Sequence, residues 1–282
     1  MERVSLIAEL RALVRDRRRS GSRIGFVPTM GALHQGHLAL VDAARKHADA
    51  VVMSIFVNPL QFGPTEDFAR YPRDADGDVA KAAAAGVDVL FSPTRDEMYP
   101  GDRAVEVRPI ALADDWEGAV RPGHFTGVLT VVAKLLNIVQ PDVAVFGQKD
   151  IQQATLVQAM TRDLDIPTRI VIAPTLRDHD GVALSSRNAY LSPDERARAQ
   201  AIPRTLNLIA AEFAAGERDA TRLEQLGRAE LLTAGGIDIE YLAVMDPILL
   251  RRAETATPGT IVALAVRIGF TRLIDNAILR DS

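Results

Sequence analysis

The sequence contains no cysteine. A disulfide framework and a thiolate metal site are therefore excluded, and a reducing compartment is the natural setting. No apolar stretch reaches the roughly 18 residues that would argue for a membrane span. The opening residues, Met1-Glu2-Arg3-Val4-Ser5, mix charged with apolar side chains and lack the apolar core of a signal peptide. These absences predict a cytoplasmic protein with no membrane partner. Excess positive charge is also missing: the formal net charge is −4, whereas a nucleic-acid surface needs a dense positive face. The single basic run, Arg15-Asp16-Arg17-Arg18-Arg19, reads as the solvated end of a first helix, where cations suit the helix dipole. No internal repeat and no long linker is visible.

With 282 residues, 48% hydrophobic and 25% charged, the chain is an ordinary globular one, long enough for a sizeable core. Residues 4–14 predict an amphipathic helix. Short apolar runs at 23–27 and 50–57 predict buried strands with a helical pattern between them, a βαβ unit. A helix over 78–85, a strand over 87–91 and a further short strand at 105–107 follow. Val128, Val131, Val132, Leu135, Leu136 and Val139 lie on one helical stripe despite their β-branching. A strand at 142–146, a helix at 151–162 and a strand at 168–172 complete an alternating pattern. The fold class is α/β: a Rossmann-like open parallel sheet over residues 1–175, with a smaller α+β C-terminal domain over 176–282 closing over the site. In that second part Ser192-Pro193-Asp194-Glu195 is a capping box, Pro203 breaks or kinks the helix it starts, a helix spans 217–234, and runs at 237–244, 260–268 and 273–279 form a small sheet.

The densest chemistry lies in Pro28-Thr29-Met30-Gly31-Ala32-Leu33-His34-Gln35-Gly36-His37, between a strand and a helix start. Free backbone N–H groups at a helix N-terminus attract anions, and glycines let the backbone approach a phosphate closely. Two imidazoles three residues apart can donate hydrogen bonds to phosphate oxygens as charge builds on them. The pattern is that of enzymes that split ATP between the α- and β-phosphates. Zinc is disfavoured, with five histidines in all and no acidic residue close by.

Three more segments leave strand ends or sit between the proposed domains. Asn58 and Gln61 follow a buried strand, either as an ordinary Asn-Pro turn or as amides suited to a hydroxyl-bearing acid. Gly147, Gln148, Lys149 and Asp150 place a glycine, an amide and a mobile cation at a strand-to-helix junction. Asp150 serves there as a cap or a ribose contact, and Gln153 lies one turn on. Asp180 to Asn188, with Ser185, Ser186 and Arg187, forms either a polyphosphate clamp that closes over the site or a polar linker. Arg121 and His124 meet an anion at a helix start or brace the fold.

Set side by side, these segments resemble the pantothenate synthetase (pantoate–β-alanine ligase) family, within the wider His-x-Gly-His nucleotidylyltransferase superfamily. The resemblance runs through about residues 23–190 and returns at Arg272-Leu273-Ile274-Asp275-Asn276. It rests on six ordered motifs at 28–37, 54–62, 70–73, 121–125, 146–153 and 185–188. The resemblance implies that pantoate carboxylate attacks the α-phosphate of ATP, and that β-alanine then displaces AMP from enzyme-bound pantoyl adenylate. It implies an ATP site from Met30, Gly31, Ala32, Leu33, His34, Gln35, Gly36, His37, Gly147, Gln148, Lys149, Asp150, Leu176, Leu184, Ser185, Ser186 and Arg187. His37, His34, Lys149, Ser185, Ser186 and Arg187 act on the phosphates, and Gln61, Gln153 and Asn58 on the acid. Mg²⁺ would arrive with ATP and not in a protein cage. A homodimer is implied. Leu184 stands where the family commonly has methionine, and Trp116 where it has leucine. Three other readings share some of these features: a nucleotidylyltransferase without an amine subsite, a non-catalytic nucleotide sensor, and an aminoacyl-tRNA synthetase fragment.

Overall fold

A computed structural model describes residues 1–64 and 66–281. The chain divides into two compact units: Met1–Ile110 with Arg121–Gln148 and Gln153–Pro174, and Ala111–Val120 with Lys149–Gln152 and Thr175–Ser282. The second unit thus takes in residues 111–120 and 149–152 as well as everything from 175 onward.

In the first unit, strands β1 (Glu2–Val4), β2 (Ile24–Thr29), β3 (Ala50–Ile55), β4 (Val89–Phe91), β5 (Val143–Gly147) and β6 (Arg169–Ala173) form one sheet in the order β1-β4-β3-β2-β5-β6. Every pairing is parallel. The central strands read as unbroken apolar runs because both faces are covered. The covering helices are α1 (Ile7–Arg19), α2 (Gln35–Arg45), α3 (Ala75–Ala84), the short α4 (Arg95–Met98), α6 (His124–Val139) and most of α7 (Ile151–Asp163). Helix α6 is buried almost all round, which is why its β-branched stripe is helical: packing overrides propensity.

The strand order reverses between β2 and β5, which makes their C-terminal ends the place where an open α/β sheet receives ligands. Pairing between β2 and β5 covers only Gly25↔Val143 and Phe26↔Ala144. Pro28 sits just beyond, within β2, where its lack of an N–H costs no ladder bond to β5. The two strands part there, and the segments after Thr29 and Gly147 leave side by side.

Two expectations change in this unit. The first helix begins at Ile7 and not at residue 4, because Glu2–Val4 pairs with β4 as an edge strand. The basic run closes this helix as expected, with Arg17 paired to Glu2 and Arg18 to Asp142. Residues 105–107 are not a strand. Val105 is 82% exposed, and the N–H and carbonyl of Val107 meet the Thr130 hydroxyl on α6 rather than a sheet edge. Two valines favour an extended backbone but do not supply a partner strand.

The second unit has α5 (Glu117–Val120), α8 (Pro193–Ala199), α9 (Ala201–Ala214) and α10 (Ala220–Thr233). Strands β7 (Ile237–Met245), β8 (Ile261–Ile268) and β9 (Thr271–Ile278) make an antiparallel meander. The capping box is present in full: the Ser192 hydroxyl accepts from Glu195 N, and Ser192 N donates to the Glu195 carboxylate at 2.8 Å. The helix breaks at Gln200, three residues before Pro203. Pro203 is the third residue of α9, where a helix has no intrahelical use for an N–H. No helix among the described residues is long and apolar enough to cross a membrane.

Candidate active site

His34 caps α2, with extended backbone at φ −136°, ψ 174°. Its ring Nδ1 accepts from Gly36 N at 3.1 Å, while His37 Nδ1 accepts from His34 N at 3.3 Å. Two histidines therefore form a reciprocal capping box, their ring centroids 4.1 Å apart. A ring nitrogen that accepts carries no proton. Each neutral imidazole accordingly bears its proton on Nε2, and that N–H is the group it can aim at an anion.

The backbone of this turn is occupied differently from the sequence expectation of free N–H donors. The N–H groups of Ala32 and Leu33 both donate to the Asp78 carboxylate, at 2.8 and 2.7 Å. Those of His34 and Gly36 go to the two imidazoles. The side chains nearby have taken up the donors that a phosphate-binding loop would offer.

Asn58 and Gln61 flank a single 3-10 turn, Pro59–Gln61, after β3. Asn58 is 1% exposed and its amide is fully spent. Its Nδ2 donates to Gln61 Oε1 and Gly127 O, both at 3.1 Å, and its Oδ1 accepts from the Tyr99 hydroxyl at 2.9 Å and from Leu60 N. Burial pushes the Tyr99 phenol up to about 12, so it remains a donor. The Asn58 amide is thus engaged within the protein, where it fixes the amide orientation of Gln61. With Gln61 Oε1 taken, the Gln61 NH₂ faces Met30 and donates to its sulfur at 3.0 Å. An NH₂ held in that position suits an acceptor such as a carboxylate or hydroxyl oxygen.

The main chain of Gln61 is clamped as well. His124 donates from Nδ1 to Gln61 O at 2.8 Å and accepts on Nε2 from Arg121, which also holds Glu66 bidentately at 2.8 and 2.7 Å. His124 is buried and Arg121 is committed to Glu66, so both brace the Gln61 turn. Burial would raise the Glu66 carboxyl, but the Arg121 guanidinium outweighs it and holds it below the usual glutamate range. The stability this pair contributes is therefore present above the unfolded glutamate value of 4.5 and is lost as pH falls through the lower folded value. Replacing Arg121 with methionine should flatten that acid loss, measured as the denaturation midpoint between about pH 5 and 3.

Helix α6 approaches this turn closely at Gly127. A Cβ there would lie 2.1 Å from Leu60 O and 2.7 Å from Gln61 N. Gly127→Ala is expected to destabilise by about 1–3 kcal/mol by displacing the Gln61 turn. An unchanged melting temperature would show that the turn yields freely.

Gly147 ends β5, Gln148 opens the 3-10 turn Gln148–Asp150 after it, and Gln153 stands partly exposed in the first turn of α7. In the second unit, Lys149 Nζ lies 3.8 Å from Asp150 Oδ2, and the Lys149 carbonyl accepts from Asn276 Nδ2 at 2.9 Å. The Asp150 carboxylate thus pairs with its neighbouring cation. Residues 176–188 are a built turn and no linker. Leu184 N donates to Leu176 O at 3.0 Å, so these two side chains emerge from one short ladder that also pairs Arg177 with Ala183. Arg177 bonds both oxygens of buried Asp275 and the Gly181 carbonyl. Ser185 caps the 3-10 turn Ser186–Tyr190, accepting from Arg187 N at 3.3 Å. Among the described residues no group of three or more His, Asp or Glu side chains is placed to hold a metal ion.

Sequence reasoning missed four supports: Asp78 under the histidine turn, Tyr99 behind Asn58, Gly127 against the Gln61 turn, and Asn276 on the Lys149 carbonyl. For Asn276 a signal existed in the recurrence of the Arg272–Asn276 motif; for Asp78 and Tyr99 none did, since both partners are far away in sequence.

A parallel sheet that reverses order beside a His-x-Gly-His helix start defines an α/β protein of the nucleotidylyltransferase type. Comparison with known proteins narrows this. The profile of the pantoate-beta-alanine ligase family matches residues 2–278. Pantothenate synthetase 1 of Bradyrhizobium diazoefficiens is 51% identical over 280 residues, 99% of this chain and 98% of that one. Pantothenate synthetase of Moorella thermoacetica is 50% identical, over 99% of each chain. The crystal structure of pantothenate synthetase from Thermus thermophilus superposes with a TM-score of 0.95 at 46% identity, covering 99% of this chain and 100% of that one. The pantoate-beta-alanine ligase of Francisella tularensis, solved with beta-gamma ATP and beta-alanine, gives a TM-score of 0.81 at 34% identity over 99% and 97% of the two chains. The chain belongs to the pantoate-beta-alanine ligase family.

Proposed function

We propose that this protein condenses D-pantoate with β-alanine to give pantothenate, using ATP and passing through an enzyme-bound pantoyl adenylate. A pantoate carboxylate oxygen attacks the α-phosphorus and pyrophosphate leaves. The β-alanine amine then attacks the acyl carbon and AMP leaves. A carboxylate is a poor electrophile, and adenylation converts its oxygen into a good leaving group. The protein's share is positioning and charge stabilisation, with no covalent intermediate on a side chain.

The observation that carries this reading is the pairing of two donor types at the ends of two neighbouring strands, β2 and β3. The histidine box offers imidazole N–H groups suited to phosphate, and the Gln61 NH₂ beside Met30 suits the acid. His34 and His37 stabilise charge on the phosphates as it moves to pyrophosphate. Met30, Gly31, Ala32, Leu33, Gln35 and Gly36 shape that end of the ATP site, Gly147 and Gln148 contribute at the end of β5, and Gln61 and Gln153 bind pantoate. Lys149 is a point charge for a phosphate, Asp150 faces the ribose, and Ser185, Ser186 and Arg187 clamp the polyphosphate. Leu176 and Leu184, joined by their ladder, flank the adenine. With no carboxylate or histidine cluster among the described residues to cage it, Mg²⁺ would be held by ATP oxygens and water, where it would offset phosphate charge. We place the enzyme in the cytoplasm as a homodimer. Val105 and Ile110, 82% and 99% exposed, leave apolar side chains for a second copy to cover.

The test is an AMP-release assay with ATP, Mg²⁺ and D-pantoate, with and without β-alanine. AMP release that requires both acid and amine, with pantothenate as product, is expected. Pyrophosphate release that never becomes amine-dependent would mark a nucleotidylyltransferase instead.

A further inference from the structure

We propose that Asp78 is a positioning residue for the histidine pair: its buried carboxylate holds the Gly31–Leu33 turn that places His34 and His37. The inference rests on the ligase reading and adds a residue to its machinery.

Gly31 and Ala32 both lie in the left-handed region, at φ 84° and 50°. Two such residues in succession are strained for alanine and turn consecutive N–H groups to one side. In phosphate-binding loops a concavity of that kind receives an anion. Here the anion is the protein's own. Asp78 is 2% exposed, and its two oxygens accept from Ala32 N and Leu33 N at 2.8 and 2.7 Å. It comes from the first turn of α3, where a carboxylate is favoured, and its own N–H donates to Asp74 O. The fit is tight enough that a Cβ on Gly31 would stand 2.8 Å from Asp78 Oδ2 and 3.0 Å from Ile55 Cγ2.

The consequence reaches the chemistry through the chain. Leu33 is followed directly by His34, whose extended backbone starts α2, whose ring accepts from Gly36 N and whose own N–H donates to His37 Nδ1. If the turn opens, His34 N and Gly36 N lose their alignment with the two Nδ1 atoms, and the proton is no longer held on Nε2. Asp78 itself is too buried to touch substrate. It acts by keeping the backbone donors occupied and the imidazole donors aimed.

Asp78→Asn keeps the volume but can accept on one atom only, turning an NH₂ group against a backbone N–H. Pantoate-dependent ATP–pyrophosphate exchange should fall by about 100-fold in kcat, with KM for pantoate moving less than about threefold. Aminolysis of supplied synthetic pantoyl adenylate should stay within about threefold of the unaltered enzyme, because that step needs no pyrophosphate departure. In ¹⁵N NMR, the unaltered protein should show distinct protonated Nε2 and unprotonated Nδ1 signals for two histidines, and the variant should show them averaged. Gly31→Ala strains the same contact from the other side. The double variant should be no worse than the worse single one. If Asp78→Asn does not fold, Asp78→Ser, which also leaves the turn a single acceptor, carries the same readouts. Exchange within about threefold of normal with unchanged histidine signals would overturn the proposal, as would equal losses in both half-reactions. If the unaltered enzyme shows no pantoate-dependent exchange, the ligase reading fails, while the histidine signals still decide whether Asp78 sets the pair.

Discussion

Replacing His37 with alanine is expected to lower pantoate-dependent ATP cleavage by about 10²–10³-fold, or ~2.7–4 kcal/mol of transition-state stabilisation. In the proposed reaction charge develops on the departing pyrophosphate, and a fixed Nε2–H in a partly buried site would stabilise it without reorganisation. Alanine also removes the Nδ1 that accepts from His34 N, so the helix start loses about 1 kcal/mol of capping. His37→Gln separates the two effects. Glutamine is a natural third residue of a capping box, and its carbonyl can accept from the cap N–H. The melting temperature should return in His37→Gln while kcat stays low. A glutamine variant with near-normal kcat would remove the imidazole N–H from the mechanism and leave His37 a cap.

The largest expected effect on stability lies in the second unit. Glu117 is 6% exposed and accepts from Arg272 at 2.6 and 2.8 Å and from the Tyr241 hydroxyl at 3.2 Å. Arg272 also bonds Glu240 at 2.7 Å. Burial works against the guanidinium's charge, but the two carboxylates hold Arg272 firmly protonated. Burial, with Glu117 beside it, pushes the Tyr241 phenol well above its ordinary value. Glu117→Gln leaves a buried cation with one carboxylate, which should cost about 3 kcal/mol, the low end of the 3–5 expected for breaking a buried pair, since Glu240 remains. The single tryptophan, Trp116, provides the measurement: its Nε1–H donates to Leu250 O at 2.7 Å, so its fluorescence reports this unit. The denaturation midpoint read from Trp116 should drop sharply. The double variant Glu117→Leu with Arg272→Met should recover much of it, because a buried ion pair often contributes little over an apolar one of similar volume. No recovery would show that the pair specifies the packing of residues 111–120.

Much of the α/β pattern is legible in the sequence because its signals are local. The apolar runs at 23–27, 50–57 and 142–146 read as buried strands between helices of 3.6 periodicity, and Ser192 to Glu195 is self-sufficient as a cap. The two expectations that fail most clearly concern partners. Residues 105–107 have strand-forming side chains but no strand beside them. Pro203 can break a helix, yet it sits where a helix tolerates it, and the break falls earlier.

The candidate site divides in the same way. His34, His37, Gln61, Lys149 and Ser185 can be picked out from residue type and spacing, because reacting groups must be of a few kinds and must leave strand ends. Their supports cannot. Asn58 has the side chain of a ligand contact, and in the fold its amide holds Gln61; Arg121 and His124 suit either role by type, and in the fold both bond the Gln61 carbonyl. Asp78 reaches the histidine turn from 45 residues away, and Asn276 reaches Lys149 from 127. Short-range sequence determined which backbone conformations and which reactive groups are present, since these depend on neighbours within a turn or two. Tertiary structure alone decided which hydrogen-bond acceptors were already taken, and hence which donors remain to act on a substrate, because each buried donor must find its partner wherever the fold brings one within about 3 Å.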